Sequence, residues 1–315
     1  MAATQRRRLA AWLLNSRRKL HQFLKYASTV FAVPQVLGTF KDGRSDPDFP
    51  TFDVVNTLFH AALLRTPSIN AVEGNLKEAD FQKLIGLKPQ QDVKAFSAEV
   101  ITNVLDKIDL GGIRLGLEDI IWRAERNKAF REGSYGTLRC VAIDGWEPFV
   151  SYDRHCPECL ERKVDVKNPE TGEKEKRVQY FHRYVVAMLI GPVVDVILGI
   201  EPVRKKEALE DNEGEAGHEG ELTAALRLID SLHATYGTFI DALVFDALYA
   251  NGPAMTKLAE YNYGGFIVLK KKNNEPFKEA LALWGDQPPC SQADDSDAKE
   301  QIDFWDVDDL ETLET

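Results

Sequence analysis

Hydrophobic periodicity changes character once along this chain, at the cluster Gly133-Ser134-Tyr135-Gly136, and that change constrains the fold more than any other feature. Before it, apolar residues recur at helical spacing: Val54, Val55, Leu58, Phe59, Ala62 and Leu63, then Phe81, Leu84 and Ile85. Ser97 reads as the N-cap of a further helix carrying Val100, Ile101, Val104, Leu105 and Ile108, with Gly111-Gly112 as its stop. Ile113, Leu117, Ile120, Ile121 and Ala124 stripe one more. After the cluster, apolar residues come in short, β-branched runs: 138–150, 180–190 and 193–203, the last two separated by a Gly191-Pro192 turn. An amphipathic helix follows around Leu222, Ala225, Leu226, Ile229 and Leu232. Then come a buried strand over 240–245, a helix over 253–260 and a strand over 265–271. Residues 151–179, with a turn at 168–172, and 207–220 read as polar loops.

Three antiparallel strands followed by helix-linked parallel strands predict an α/β fold built on a mixed β-sheet. The expected organisation is a helical, DNA-binding region over 1–135 and an α/β core over 136–315. Helices 77–86 and 98–109 fit either a helix-turn-helix-like reader or plain helical packing.

Charge limits the partners. The net charge of −11 excludes a protein that coats nucleic acid with its whole surface, but residues 1–45 are basic. That arm can supply sequence-independent attraction to phosphates, and it can equally be a solvated helix face. The far end is acidic (Asp294, Asp295, Asp297, Asp303, Asp306, Asp308, Asp309) and reads as an unstructured tail. No apolar run reaches the roughly 18 residues of a membrane span. Leu9 to Leu14 is too short and too closely bracketed by arginines for a signal peptide, so a cytoplasmic location without membrane contact is expected.

Two groups of residues carry chemistry. Asp144 interrupts the apolar run Val141-Ala142-Ile143, and Asp246 ends the run Ala242-Leu243-Val244-Phe245. A carboxylate in an apolar strand is costly unless paired or bound to metal, and two acids at neighbouring strand ends suit hard divalent cations. The alternative is that each Asp caps a turn. The second group is Cys156-x-x-Cys159 with His182 downstream, three of the four N/S ligands of a zinc site, or a pair of ordinary loop thiols.

Val141-Ala142-Ile143-Asp144-Gly145 resembles the first-aspartate strand of bacterial insertion-sequence DDE transposases, and Val244-Phe245-Asp246-Ala247-Leu248-Tyr249 resembles their second-aspartate strand, with its Asp-x-x-Tyr pattern. Tyr180-Phe181-His182-Arg183 is similar to the strand that follows a Cys-containing insert in some of these enzymes. The likeness covers roughly residues 50 to 285. It implies a ribonuclease H-like catalytic core, Asp144 and Asp246 as ligands of Mg2+ or Mn2+, and metal-dependent cleavage and strand transfer of element ends. It further implies double-stranded DNA as partner and a homo-oligomer on that DNA. The family's third acid is a glutamate on a helix after the last strand, within a Tyr, Arg, Glu, Lys signature that is not found here. The expectation is that it lies beyond Thr315, with Glu279 as the alternative. A catalytically inactive DNA-binding remnant and a metal-dependent nuclease without strand transfer are the competing functions.

Overall fold

The computed structural model describes residues 18–87, 96–132, 136–167, 172–191, 195–205, 217–269, 275–284, 286–295 and 300–305. The basic residues before 18, the links at 88–95 and 206–216, the turn at 168–171 and the acidic residues beyond 305 lie outside these. The chain divides into two compact units, Met1–Ala129 and Phe130–Thr315. Among the described residues, no helix is long and apolar enough to cross a membrane.

The first unit is helical: α1 (18–30), α2 (Val33–Gly38), α3 (Thr51–Leu63), α4 (Ile69–Leu76), α5 (Ala79–Leu84), α6 (Ala98–Lys107) and α7 (Leu110–Arg126). The periodic residues of α3, α4, α5 and α6 close one core around Val54, Leu76, Phe81, Ile101 and Val104. Ser97 caps α6 as its position requires, accepting from the Val100 amide. Gly111-Gly112, however, does not stop that helix. Both glycines lie in the first turn of α7, where the Asp109 carboxylate accepts from their amides at 3.0 and 3.1 Å. The cap outweighs the poor helix propensity of two glycines because it satisfies two of the helix's orphan donors.

Asp42 ties the segment before α3 together. It accepts from the Arg44 guanidinium at 2.9 Å through both oxygens and from the Thr51 hydroxyl at 2.7 Å. Arg44 foremost, against the cost of burial and with help from Thr51, holds its carboxyl down at about 2, from an ordinary 3.8. A folded-state value below the unfolded one means the stabilisation is complete above pH 4 and is lost as pH falls toward 2. We expect about 1–2 kcal/mol of acid-dependent stability from this group, discounted for its place near the surface. In urea melts from pH 6 down to pH 2, Asp42→Asn should be less stable at pH 6 and lose correspondingly less on acidification; parallel curves would refute this.

The second unit is a mixed α/β unit around a five-stranded sheet of β1 (Cys140–Trp146), β5 (Tyr184–Leu189), β6 (Val196–Pro202), β7 (Ala242–Phe245) and β8 (Gly264–Ile267). The spatial order is β6-β5-β1-β7-β8. β1, β5 and β6 pair antiparallel, whereas β1 with β7 and β7 with β8 pair parallel. Helix α8 (Glu221–Tyr236) carries the chain from β6 to β7, and α9 (Gly252–Tyr261) from β7 to β8. The apolar stripe of α8, with Ala225, Leu228, Ile229 and Leu232 buried, packs on β5 and β6. Gly199 on β6 permits the approach: a Cβ there would meet the Leu228 side chain at 2.9 Å.

Two further hairpins stand where the sequence reads as loop or tail. The polar excursion contains β3 (Leu160–Lys167) and β4 (Lys174–Phe181), paired along their full length, with the short β2 (Val150–Ser151) on the other side of β4. In the acidic stretch, beyond α10 (Glu275–Trp284), β9 (Ser291–Asp295) pairs with β10 (Glu300–Phe304). The unstructured-tail expectation therefore fails for Asp294, Asp295 and Glu300–Phe304.

Candidate functional site

Alternation on β1 buries Val141 and Ile143 and leaves Asp144 exposed near the strand's C-terminal end. The parallel register ends with Ala142 paired with Val244; Asp144 follows two residues later in β1, and Asp246 stands immediately after the last residue of β7. Each carboxylate is oriented by the backbone: Asp144 accepts from the Gly145 amide and Asp246 from the Leu248 amide, both at 2.8 Å. Asp246 caps a single 3-10 turn, Ala247–Tyr249, which returns Tyr249 to the interior. Tyr249 is fully buried, packed against Phe245 with ring centroids 5.1 Å apart. This geometry accounts for the Asp-x-x-Tyr spacing, because the turn sets the carboxylate outside and the phenol beneath it.

The Tyr249 hydroxyl donates to Glu221, the first residue of α8, at 2.9 Å. Burial first, then the charge of Glu221 and the hydrogen bond to it, then the charges of Asp144 and Asp246, push this phenol far above its ordinary range. It is therefore a neutral donor at any physiological pH, with three acids around it. Glu221 also reaches over β1. A Cβ on Gly145 would fall 2.6 Å from its carboxyl carbon. Arg183 stands 4.0 Å from Glu221 and is anchored by Glu147, which also pairs with Arg162 at 3.2 Å. Burial works against it, but the two arginines hold Glu147 below the usual carboxylate range. Glu221 and Arg183 escape a sequence reading, since their partners are distant in the chain. Gly145→Ala should displace the Glu221 carboxylate, and overpacking of this kind costs roughly 1–3 kcal/mol. A thermal melt indistinguishable from wild type would show that Glu221 moves aside freely.

Glu279 lies on α10, and one of its carboxylate oxygens is buried without a hydrogen-bond partner. Among the described residues, neither Glu279 nor Glu221 joins the two aspartates in a group of three acids whose ligand atoms lie within 4.8 Å of one another.

One group does reach that spacing: Cys156, Cys159 and His182. The two sulfurs are 3.6 Å apart, and each lies 3.2 Å from His182 Nε2. The cysteines occupy a turn between β2 and β3, closed by the Cys159 amide donating to the Cys156 carbonyl at 3.1 Å. His155 is turned away, stacked on Tyr180 at 4.6 Å. Burial pushes the Cys159 thiol up, which argues against a reactive thiolate. Cys140 is buried in β1 and Cys290 is exposed. Comparison with models of known families, with characterised proteins and with solved structures finds no match to this chain.

Proposed function

We propose that this chain is a DDE-type DNA transposase whose second unit is a ribonuclease H-like core. The observation that carries the reading is the placement of Asp144 and Asp246 at the C-terminal ends of adjacent parallel strands at the centre of a β6-β5-β1-β7-β8 sheet. That strand order, with the first three strands antiparallel and the last two parallel, supports the fold assignment suggested by the sequence resemblance. In open α/β sheets ligands gather beyond the carboxyl ends of the strands, which is where these side chains stand.

The donor set suits a hard cation. Asp144 and Asp246 offer carboxylate oxygens at the surface, and no lysine or arginine among the described residues pairs with Asp144. Bound at these aspartates, Mg2+ or Mn2+ would supply charge stabilisation and an ionised water for in-line displacement at a phosphodiester. The chain's own contribution is positioning. Backbone amides fix the two aspartates, Tyr249 as a neutral donor fixes Glu221, and Glu147 holds Arg183 at 4.0 Å from Glu221. Double-stranded DNA as substrate, a homo-oligomer on that DNA and a cytoplasmic location complete the proposal.

The test uses the chain together with any in-frame sequence that continues it past Thr315, and a supercoiled plasmid carrying the DNA that flanks its reading frame. Metal-dependent cleavage at defined ends, followed by joining of those ends to target DNA, is the expected result. Cleavage without joining would favour a nuclease, binding without cleavage an inactive remnant, and neither would refute the reading.

A further inference from the structure

We propose that Cys156, Cys159 and His182 hold one zinc ion, and that the ion pins the junction where the chain passes from the three-stranded β2-β4-β3 sheet into the five-stranded one. This inference stands independently of the carboxylate reading.

The three ligand atoms form a near-regular triangle with edges of 3.6, 3.2 and 3.2 Å. A tetrahedral ion with metal–sulfur distances near 2.3 Å and metal–nitrogen near 2.0–2.1 Å needs edges of roughly 3.8 Å between sulfurs and 3.6 Å from sulfur to nitrogen. A movement of a few tenths of an ångström meets that requirement. The sulfurs are far outside the ~2.05 Å of a disulfide. Two thiolates and an imidazole form a soft donor set that selects zinc over magnesium or calcium. No fourth Cys, His, Asp or Glu among the described residues joins the group, and Cys156 is exposed. The described residues leave the fourth position open to water or to another ligand.

The location gives the ion a role. The β1–β5 ladder ends at Trp146 paired with Tyr184, and the β2–β4 ladder resumes at Val150 paired with Phe181. Residues 147–149 on one side and 182–183 on the other belong to neither ladder. His182 is the first residue of that gap, and the cysteines reach it from the turn after β2. Its neighbour Arg183 leaves the same gap to engage Glu147 and face Glu221. A metal crosslink at His182 thus restrains the backbone from which Arg183 reaches the carboxylates.

The experiment takes the full chain, purified under reducing conditions, loaded with equimolar zinc and dialysed against metal-free buffer. About one zinc per chain is expected by metal analysis, and cobalt substitution should give sulfur-to-metal charge transfer with tetrahedral d–d bands. Cys156→Ser, Cys159→Ser and His182→Ala should each lose the ion, while His155→Ala keeps it. The Asp144→Asn/Asp246→Asn double variant should also keep it, which separates this site from the carboxylate one. Should the cysteine variants not fold, chelation of the wild-type chain replaces them. Amides of 182–184 should then exchange faster, with a lowered melting temperature. Failure of the reduced wild-type chain to retain zinc, retention by any of the three ligand variants, or unchanged exchange on chelation would overturn the proposal.

Discussion

Asp144→Asn and Asp246→Asn are each expected to abolish metal-dependent DNA cleavage while the chain still folds. Each asparagine keeps the carbonyl oxygen that accepts from Gly145 or Leu248, so the local turn survives. What is lost is one anionic donor to a divalent ion. Charge stabilisation by such ions is worth several kcal/mol in phosphoryl transfer, and each ~1.4 kcal/mol is a factor of ten in rate. The expected loss is therefore on the order of 1000-fold. Asp144 is exposed and Asp246 half-buried, so removing one negative charge from this acidic cluster should leave the melting temperature unchanged or slightly raised. Single-turnover cleavage and a thermal melt, run on the same preparations, decide the matter. Full activity in either variant would remove that aspartate from the chemistry. Loss of activity together with collapse of the melt would leave its role purely structural.

Much of the second unit was legible in the sequence because its central strands are apolar. β1, β5 and β7 each bury alternate or consecutive aliphatic residues, and a break in such a run by Asp144, or its end at Asp246, stands out for lack of any apolar reason. The β3–β4 hairpin was not legible for the opposite reason. Leu160-Glu161-Arg162-Lys163-Val164-Asp165-Val166-Lys167 alternates in burial, but one of its inward positions is Arg162, whose guanidinium lies over the Phe181 ring at 4.4 Å. A long side chain can cover an apolar face while counting as polar in any periodicity. The β9–β10 pair has still less to bury and declares itself through backbone pairing. Gly111-Gly112 misled because glycine marks helix ends more often than helix starts, and only the preceding Asp109 reverses its meaning. The cysteine pair was visible by spacing and His182 along with it; what brings its Nε2 to 3.2 Å from both sulfurs is the strand junction.

Glu221→Gln should weaken the site more than Glu279→Gln, although Glu279 is the acid that chain order alone puts forward. Glu221 heads α8, where a carboxylate complements the helix dipole, and that ordinary role hides a second one. Its Oε1 receives the Tyr249 hydroxyl at 2.9 Å, and Tyr249 is buried beneath Asp144 and Asp246, within reach of both charges. Glutamine keeps an acceptor for Tyr249 but removes the negative charge that faces Arg183 at 4.0 Å. Outer-shell substitutions of this kind cost roughly 10–100-fold in metal affinity or activity. A positioning role through charge predicts that the Mg2+ concentration for half-maximal cleavage rises in Glu221→Gln, with recovery at high Mg2+ and again in Glu221→Asp. Among the described residues Glu279 forms no three-acid group with the aspartates, so its glutamine variant should cleave within about twofold of wild type, as changes away from a site usually do. Titrating Mg2+ against cleavage rate in both variants separates the outcomes. Loss of activity in Glu279→Gln that no Mg2+ concentration restores would make Glu279 the third ligand of the ions, and Glu221 no more than the start of a helix.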